Sequence, residues 1–427
     1  MGDAVVLVIG GGGREHALAW GLATSPAVRA VHCAPGNPGI ATVAACHPLD
    51  PGDNDAIVAL ARGLAADLVI VGPEAPLVNG AADALRAVGF AVFGPDADGA
   101  RLEGSKAWMK EVFDAAGVPT ARHATFRADD EAAALAYLDT MPGFYVVKTD
   151  GLAAGKGVVV TESIAEARDA VRRYLSGAAF GAAGRTCVIE EGLTGPEVSI
   201  LVLCDGEQAV PLAPAQDFKR IGDGDSGPNT GGMGAYSPLP FVDADLVGRV
   251  MLDAVYPTIG ELTARGVRFR GVLYAGLMLT PSGPKMLEYN VRFGDPETQV
   301  VVPRMTSDLY THCAEVAAGA LETPVAFGTD AAVTVVLAAE GYPATPTTGA
   351  VIEGLDAAAG VPGVTVFHAG TARDADGDVV VAGGRVLNVT AVGESLETAR
   401  ARAYLAAETI TWPGVQYRRD IARAATR

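Results

Sequence analysis

Residues 285–297 read KMLEYNVRFGDPE and combine an apolar strand pattern with acids, an amide and an arginine. In a β-strand, successive side chains point to opposite faces. The alternation predicts a polar face of Glu288, Asn290 and Arg292 and an apolar face of Leu287, Tyr289 and Val291. Two oxygen ligands at positions i and i+2 suit Mg²⁺, which takes few protein ligands and keeps waters and phosphate oxygens. We therefore interpret this stretch as a metal-binding strand; the alternative is an edge strand with one solvated face.

The sequence on either side of this strand extends the pattern. A second long strand is predicted at 271–279, and the turn PSGP at 281–284 joins the two strands. The stretch GDPETQ at 294–299 adds further acids directly after the metal-binding strand, which a plain edge strand would not need. The hairpin is therefore predicted to gather charge at one end.

Lysine is rare in this chain and confined to its middle. Arginine carries most of the positive charge, and the six lysines are Lys106, Lys110, Lys148, Lys156, Lys219 and Lys285. A compact ammonium on a flexible stem fits phosphate oxygens as a point charge. The distribution predicts a phosphate-handling region in the middle of the chain, against the alternative that the lysines fall there by chance.

The loop KTDGLAAGKG at 148–157 sets two lysines on either side of small residues, between predicted strands at 145–149 and 157–160. It is not a Walker A loop, because only three residues separate its glycines and Gly157 stands where Ser or Thr is needed. The pattern predicts a loop that folds over a triphosphate, and a glycine-rich hairpin with two exposed lysines is the alternative. A helix at 164–175 and a strand at 187–190 are predicted to follow.

The stretch EEGLTGPE at 190–197 ends that strand with a hinge-like turn and three carboxylates. Such a segment can contact the amine of a purine and a ribose. A solvated acidic turn explains the same residues equally well.

Residues 4–94 alternate short apolar strands with helical stretches, which predicts a parallel α/β domain. Loops at 10–13, 35–39 and 72–77 follow strands, on the edge where open α/β sheets bind ligands. The first loop, VIGGGGREH, departs from the dinucleotide fingerprint because it lacks the third glycine and a later acidic residue for a ribose. It suits a phosphate at a helix N-terminus, and a tight strand-to-helix turn is the alternative.

Composition limits the partners and the location. A formal net charge of -18 disfavours nucleic acid and anionic membranes, so an anionic substrate must be held by local donors. The five cysteines are scattered and indicate neither a disulfide framework nor a zinc site. The first residues lack a basic leader region, and no apolar run approaches the roughly 18 residues of a membrane helix. We expect a cytoplasmic protein with no nucleic-acid and no membrane partner.

The pattern of motifs and predicted elements changes near residue 104 and again near residue 327, and we place domain boundaries there. A helix through Lys106 and Lys110 is predicted to end at the GVP of 117–119, before a small α+β unit that has the character of a lid. A glycine-rich loop at 216–234 and a helix near 246–264 precede the two long strands. Beyond 327 the motifs stop, and the predicted elements are short strands at 333–337, 364–367, 379–381 and 385–389 and a helix at 396–410.

Six segments together resemble one enzyme family. They are GGGGREHA at 10–17, GPEAPL at 72–77, GSK at 104–106, the loop at 148–157, DFKR at 217–220 with TGGMG at 230–234, and EYNVRFGDPE at 288–297. In this order, over nearly the whole chain, they resemble the glycinamide ribonucleotide synthetases of purine biosynthesis, within the ATP-grasp superfamily. The last two segments are the most specific.

The resemblance implies a multidomain α/β and α+β fold. It comprises an N-terminal parallel α/β substrate-binding domain at 1–104, an ATP-grasp domain at 105–326 with a mobile lid at about 122–190, and a small mixed α+β domain at 327–427. The implied reaction is the ATP-dependent ligation of glycine to 5-phosphoribosylamine through glycyl phosphate. The implied metal is Mg²⁺, with Mn²⁺ as an alternative, and we expect a monomer.

The resemblance also implies roles for single residues. The residues implied to bind ATP are Lys106, Lys148, Lys156, Glu191, Leu193 and Glu197, and the metal ligands are Glu288 and Asn290. The implied catalytic residues are Arg292, Lys219 and Asp217, with Arg292 on the acyl phosphate. The implied substrate-binding residues are Gly12, Gly13, Arg14, Asn37, Pro38, Glu74, Gly232 and Asp295. Residues 275–280 lack the acid that many ATP-grasp enzymes carry at an upstream metal position, which argues against a second Mg²⁺.

Three other functions are compatible with parts of this pattern. A related ATP-grasp carboxylase or formyl-phosphate enzyme would share the lysines and the metal strand but use another acid. A dinucleotide oxidoreductase would use the first glycine loop. A non-catalytic nucleotide sensor would bind ATP and form no ADP with glycine and phosphoribosylamine present.

Overall fold

The computed structural model describes residues 2–152, 157–177 and 185–426. The N-terminal part is a parallel sheet, as predicted, and its strand order is β3-β2-β1-β4-β5. Strand β1 is apolar on both faces because helices cover both sides of a parallel sheet. The elements are β1 Ala4–Gly10, α1 Gly13–Ala23, β2 Val28–Pro35, β3 Ala45–Cys46, α2 Asn54–Leu64, β4 Leu68–Val71, α3 Glu74–Val78, α4 Ala81–Ala87, β5 Val92–Phe93 and α5 Ala97–Gly104.

The next part is an antiparallel sheet of order β6-β9-β7-β8 with two helices on it. It has a hydrophobic cluster of its own, which includes Leu138, Val147, Val171 and Ile189. A separate core allows this unit to move as a body relative to the rest, as a lid must. The elements are α6 Lys106–Ala116, β6 His123–Arg127, α7 Glu131–Leu138, β7 Tyr145–Thr149, β8 Val158–Thr161, α8 Ile164–Leu175 and β9 Thr186–Glu191.

Local signals in the sequence explain where helix α6 begins and ends. Ser105 caps its first turn by accepting a hydrogen bond from the backbone N–H of Trp108. Gly117 ends it in the left-handed conformation, with φ 69°, which glycine adopts at little cost. The predicted helix and its end are confirmed.

The central part contains a sheet of order β11-β10-β16-β17, which carries the predicted metal-binding strand, β17, at its edge. The predicted helix near 246–264 is continuous but passes through a π-helical turn at Met251–Val255. The elements are β10 Glu197–Asp205, β11 Ala209–Pro211, β12 Gln216–Asp217, β13 Arg220–Gly222, β14 Ser226–Asn229, β15 Gly234–Ser237, α9 Ala244–Val250, α10 Tyr256–Ala264, β16 Arg270–Thr280 and β17 Gly283–Asn290.

The predicted alternation along β17 is wrong at one residue. Glu288 pairs with Gly276 and Met286 pairs with Leu277, so Leu287 is an extra, unpaired residue in a β-bulge. Met286 is buried in place of Leu287, which is only half-buried and contributes to the wall of the cavity described below. The strand also ends at Asn290, and Arg292 therefore follows it rather than belonging to it.

The last part forms a sheet of order β12-β15-β18-β22-β19, which includes strands from the central part. The segment that carries Asp217 and Lys219 is therefore supported by C-terminal strands. The domain limits at 104 and 326 stay a prediction. The elements are α11 Thr298–Val301, α12 Leu309–Ala318, β18 Ala331–Ala338, α13 Leu355–Ala359, β19 Val364–His368, β20 Thr371–Arg373, β21 Val379–Val381, β22 Arg385–Gly393 and α14 Leu396–Ala407.

Two further expectations from composition concern membrane helices and the state of the cysteines. Within the described ranges, no helix combines the length and the apolar character that crossing a membrane requires. All five cysteines are free thiols, and four of them are buried.

Candidate active site

A cavity of about 1130 Å³ lies where the lid, strand β17, the N-terminal domain and the C-terminal domain meet. This volume is at the upper end for a small-molecule site, so it suits a nucleotide together with a second substrate. Residues that the sequence predicted for phosphate and metal binding lie together in its lining. They include Lys106, Lys148, Lys219, Glu288, Asn290 and Arg292.

Strand β17 presents its two predicted metal ligands to this cavity. Burial alone would raise the pKa of Glu288, but Lys148, Lys219 and Lys106 outweigh burial and lower it, so the carboxylate stays ionised. Among the described residues, the Glu288 carboxylate accepts no hydrogen bond from the protein. The side-chain oxygen of Asn290 accepts one from Arg292 at 3.3 Å. Two oxygen donors on one strand suit a hard cation.

The described residues contain no cluster of three or more His, Cys, Asp or Glu side chains that could hold a metal ion. A buried zinc or calcium cage in that part of the protein is therefore not supported. Mg²⁺ usually keeps several waters and binds through one or two carboxylates and substrate phosphates, so Glu288 and Asn290 fit it.

Lys148 on β7 is held at the cavity by an ion pair that sequence reasoning missed. Its Nζ lies 2.8 Å from Oε1 of Glu190, and it donates to the backbone oxygen of Leu287 at 3.3 Å. Lys110 approaches the other oxygen of Glu190 at 3.4 Å. Burial opposes each charge, but mutual attraction raises the pKa of Lys148 and lowers that of Glu190. Glu190 therefore orients a cation toward the cavity.

Not every lysine belongs to the cavity wall. Lys110 is buried behind Glu190 and donates to the hydroxyl of Thr120 at 2.7 Å, and burial lowers its pKa to about 8. Lys285 lies 3.4 Å from Glu191 and is outside the described lining. Lys156 lies outside the described residues. Among the described lysines, Lys106, Lys148 and Lys219 line the cavity. That they bind phosphate stays a prediction.

Lys106 connects helix α6 to the loop after β7. Its Nζ donates to the backbone oxygen of Gly151 at 2.9 Å. Beside it, Ser105 donates to a carboxylate oxygen of Asp150 at 3.1 Å, and the backbone N–H of Ala107 donates to the other at 3.2 Å. Lys106 thus lines the cavity and also forms a contact between the lid and the core.

An apolar wall lies beside the lid strands. The half-buried Glu191 accepts a hydrogen bond from the backbone N–H of Arg122 at 3.0 Å. Together with Leu193 it lines the cavity next to several apolar side chains. The apolar members of this wall include Phe144, Val146, Leu152, Val158 and Met278. Such a surface suits a flat aromatic base, with a few polar groups to orient it.

Asp217, Lys219 and Glu197 form a second charged group in the cavity. The ammonium of Lys219 pairs with the Glu197 carboxylate and lies 3.3 Å from Oδ1 of Asp217. Burial and the nearby Glu297 and Glu197 raise the pKa of Asp217 to about 7, although Lys219 opposes the rise. The two carboxylates outweigh burial for Lys219 and raise its pKa well above the usual value. Lys219 therefore stays cationic, whereas Asp217 titrates near neutrality.

Arg292 is anchored by two carboxylates from the N-terminal half of the chain. Its Nη2 donates to Glu103 at 2.8 Å, and its Nε lies 3.4 Å from Glu74. Burial opposes its charge, but Glu103 and Glu74 raise the pKa of Arg292 further. Sequence reasoning missed Glu103, although this acid directly precedes the GSK segment at 104–106.

Three of the eight predicted substrate-binding residues line the cavity: Arg14, Glu74 and Asp295. The Nη1 of Arg14 donates to the backbone oxygen of Phe293 at 3.1 Å, which aims the guanidinium at this end of the site. The other five predicted residues, Gly12, Gly13, Asn37, Pro38 and Gly232, are not part of the described lining. Their roles in substrate binding stay predictions.

Asn37 and Gly13 have structural explanations. The Asn37 amide donates to the backbone oxygens of Gly11 and His368, both at 2.9 Å. Its oxygen accepts the N–H groups of Gly39 and Ile40, so it closes the loop after β2. A Cβ at Gly13 would lie 2.3 Å from the Asn388 amide nitrogen, so a larger residue there would have to displace the Asn388 side chain.

The C-terminal domain contributes Arg385 to the cavity. Its Nη2 lies 2.7 Å from the Asp295 carboxylate, and Nη1 donates to the backbone oxygens of Asp295 and Gly231. The Tyr342 hydroxyl, also in the lining, accepts the N–H of Gly231 at 2.9 Å. The sequence carried no motif beyond residue 327, and neither side chain was predicted.

Comparisons with known proteins agree with this arrangement. Family models for the N domain, the ATP-grasp (A) domain and the C domain of phosphoribosylglycinamide synthetase match residues 4–103, 104–298 and 332–424. A phosphoribosylamine–glycine ligase of Streptomyces coelicolor is 53% identical over 424 residues, which span 98% of this chain and 99% of that protein. A second, from Brucella melitensis, is 50% identical over 417 residues, 97% of each chain.

Solved structures show the same family resemblance. The crystal structure of a phosphoribosylamine–glycine ligase from Thermotoga maritima matches with a TM-score of 0.86 at 34% identity, covering 98% of this chain and 100% of that chain. The biotin carboxylase domain of a Hydrogenobacter thermophilus 2-oxoglutarate carboxylase matches at 0.73 but with only 18% identity, over 98% of this chain and 92% of that one, and shares the fold alone. The chain belongs to the phosphoribosylglycinamide synthetase family of ATP-grasp enzymes.

Proposed function

We propose that this protein joins glycine to 5-phosphoribosylamine at the expense of ATP and produces glycinamide ribonucleotide, ADP and phosphate. Lys106, Lys148, Lys219 and Arg292 line the same cavity as the Glu288 and Asn290 pair, and this observation carries the proposal. The names of relatives about half identical over their full length support the same reaction. The protein acts in the cytoplasm as a monomer.

The chemistry requires activation of glycine. A carboxylate is a poor acylating agent, so a carboxylate oxygen of glycine first attacks the γ-phosphorus of ATP and releases ADP. The amine of phosphoribosylamine then attacks the carbonyl carbon of glycyl phosphate, and phosphate leaves with that oxygen while the amine loses a proton. Both steps depend on positioning and on neutralising charge, which cationic side chains provide without a protein nucleophile.

Glu288 and Asn290 are the proposed ligands of Mg²⁺, with Mn²⁺ as an alternative. The bound cation would neutralise charge on the terminal phosphates of ATP. Lys148 and Lys106 bind phosphate oxygens from the lid side, together with Lys156. Glu191 and Leu193 hold the base beside the apolar wall, and Glu197 is placed near the ribose.

Arg292 stabilises the acyl phosphate, and Lys219 neutralises the phosphate that is transferred. Asp217 is the proposed acceptor for the amine proton, because a base whose pKa lies near 7 is ionised and still basic at neutral pH. Phosphoribosylamine occupies the end of the cavity near Arg14, Glu74, Asp295 and the loop at 230–234.

The proposed function is tested by ADP formation in a coupled assay. ADP should appear only when both glycine and phosphoribosylamine accompany ATP and Mg²⁺. Bicarbonate or formate in place of glycine separates the related ATP-grasp chemistries, and ATP binding without ADP formation would identify a sensor. Failure to bind NAD(P)H excludes the oxidoreductase.

The pH dependence of kcat should report Asp217. Its raised pKa means that the carboxyl is protonated below about pH 7 and cannot accept a proton there. We expect kcat to fall about tenfold per pH unit below that value and to level off above it. A rate profile for wild type and Asp217→Asn checks this, and a flat wild-type profile down to pH 5 would exclude Asp217 as the base.

Arg385 should control the affinity for the sugar substrate. Arg385 lines the cavity beside Asp295 and is the proposed donor to the phosphate of this sugar. Because that charge-assisted hydrogen bond would be lost, we expect Arg385→Met to raise KM for phosphoribosylamine roughly 10- to 100-fold, with KM for ATP unchanged. Arg373→Met, at an exposed site on β20, is the matched control. Equal KM values in the two variants would remove Arg385 from this role.

A further inference from the structure

The segment at 412–426 runs from the C-terminal domain to the loop that carries Lys219. At its centre, Arg418 is buried with a side chain only 1% exposed. Its Nε and Nη2 each lie 2.7 Å from an oxygen of Asp420, and its Nη1 lies 2.7 Å from Asp225. A bidentate pair of this kind holds a guanidinium in one orientation.

The guanidinium of Arg418 touches the residues on both sides of Lys219. Its carbon lies 4.9 Å from the centre of the Phe218 ring, within range of a cation–π contact. Its Nη1 also donates to the backbone oxygen of Arg220 at 3.2 Å. One side chain from the C-terminal segment therefore contacts both neighbours of Lys219.

Further hydrogen bonds fasten the loop to the same segment. The N–H of Gly224 donates to Asp420 at 2.8 Å, and the N–H of Arg419 donates to Asp223 at 2.8 Å. The hairpin of β13 and β14 within this loop has little apolar packing of its own, because β13 is only half-buried and most of β14 is exposed. Its order therefore depends on these polar contacts.

The C-terminal segment is in turn anchored to helix α14. The Tyr404 hydroxyl donates to the backbone oxygen of Arg418 at 2.8 Å and accepts the N–H of Ile421 at 3.0 Å. Arg400 donates to the backbone oxygens of Arg419 and Ile421. A continuous series of contacts thus joins α14 to the residues beside Lys219.

We propose that Arg418 is a positioning residue, which holds the segment at 217–220. Lys219 and Asp217 then face the part of the cavity where phosphate transfer and attack of the amine are proposed to occur. Arg418 acts through Phe218 and the backbone of Arg220 and does not itself touch a substrate. The proposal rests on the proposed function for the roles of Lys219 and Asp217.

Arg418→Met tests the proposal in the full-length protein, with Arg419→Met as the matched control. The Arg419 side chain is 67% exposed, and its backbone N–H is retained in the variant. We expect Arg418→Met to lower kcat roughly 10- to 100-fold, as a small misplacement of catalytic groups does, with KM for ATP unchanged. Arg419→Met should behave as wild type.

Hydrogen exchange gives a readout that does not depend on activity. The N–H groups of Phe218, Thr230 and Met233 are hydrogen-bonded within the loop and should exchange at least about tenfold faster in Arg418→Met. The amides of β1 should keep their wild-type rates. Faster exchange throughout the protein, or unchanged exchange in the loop, would overturn the proposal.

A double-mutant cycle with Phe218→Leu separates positioning from general weakening. If Arg418 acts through Phe218, the two losses in kcat should be strongly non-additive, whereas independent effects would overturn the proposal. Should Arg418→Met fail to fold, Asp225→Asn replaces it. The Asp225 side chain is 69% exposed, and asparagine also tolerates the left-handed backbone of this residue, with φ 55°, so the variant weakens only the contact with Arg418. It should give smaller changes of the same kind, and wild-type kcat and exchange would contradict the proposal.

The failure of the proposed function is distinguishable from the failure of this inference. A wild-type protein that forms no glycine-dependent ADP defeats the proposed function whatever the exchange data show. If the wild-type protein is active, and Arg418→Met loosens the loop but keeps the wild-type kcat, the inference alone is defeated.

Discussion

Glu288→Ala is expected to abolish measurable ADP formation, with a loss in kcat of at least roughly 10²- to 10³-fold. The substitution removes one of the two proposed oxygen donors for the metal and leaves Lys106, Lys148 and Lys219 without the carboxylate that lowers their mutual repulsion. Steady-state assays at saturating Mg²⁺ and ATP measure the loss. A Mg²⁺ titration should show that excess metal does not restore the wild-type rate.

The matched control is Glu111→Ala, on the exposed face of α6 in the same part of the chain. It should retain wild-type turnover, and both variants should give the circular dichroism spectrum of a folded protein. Turnover near the wild-type rate in Glu288→Ala would remove β17 from the mechanism.

Lys219→Met is expected to lower kcat by roughly 10²- to 10³-fold, with a much smaller effect on KM for ATP. Lys219 is the cation between Asp217 and Glu197, and its loss leaves the buried Asp217 carboxylate and the partly exposed Glu197 carboxylate without this partner. The pKa of Asp217 should then rise further, because the attraction that opposes the rise is gone. The acid limb of the residual activity should accordingly move to higher pH.

Arg268→Met removes a cation that is 57% exposed and is not part of the described cavity lining, so it is the control for charge alone. Its kcat should equal that of wild type. If Lys219→Met raises KM for ATP and leaves kcat intact, Lys219 binds the nucleotide and has no part in the chemical steps.

The elements that the sequence predicted well are those with local signals. Helix α6 has a serine cap and a terminal glycine, and helix α8 lies at the predicted residues 164–175. The hairpin of β7 and β8 follows from two apolar runs around a glycine-rich loop. Alternating strands and helices gave the parallel N-terminal sheet. In each case, neighbouring residues carry the information.

The features that the sequence did not predict depend on distant contacts. The bulge at Leu287 arises from its pairing with β16, and alternation within one strand cannot reveal it. Strands β12 and β15 join a sheet with β18, about a hundred residues later in the chain, which no local pattern indicates.

In the candidate site, too, the predicted residues lie in local motifs, whereas the missed residues are identified by contacts between distant parts of the chain. Glu288, Asn290 and Lys148 were found because each belongs to a recognisable segment. Glu190 and Arg385 were missed as site residues, because an ion-pair partner is identified by proximity in space. Asn37 belongs to a predicted loop, and in the structure its side chain closes that loop by hydrogen bonds. Its role in substrate binding stays a prediction.

The route of the glycine oxygen tests the central claim most directly. With glycine labelled by ¹⁸O in its carboxylate, activation as glycyl phosphate carries one labelled oxygen into the inorganic phosphate that is released. Mass spectrometry of the phosphate after one round of ligation measures this transfer. We predict phosphate with one ¹⁸O atom and a product amide that keeps the other, whereas unlabelled phosphate would contradict the account.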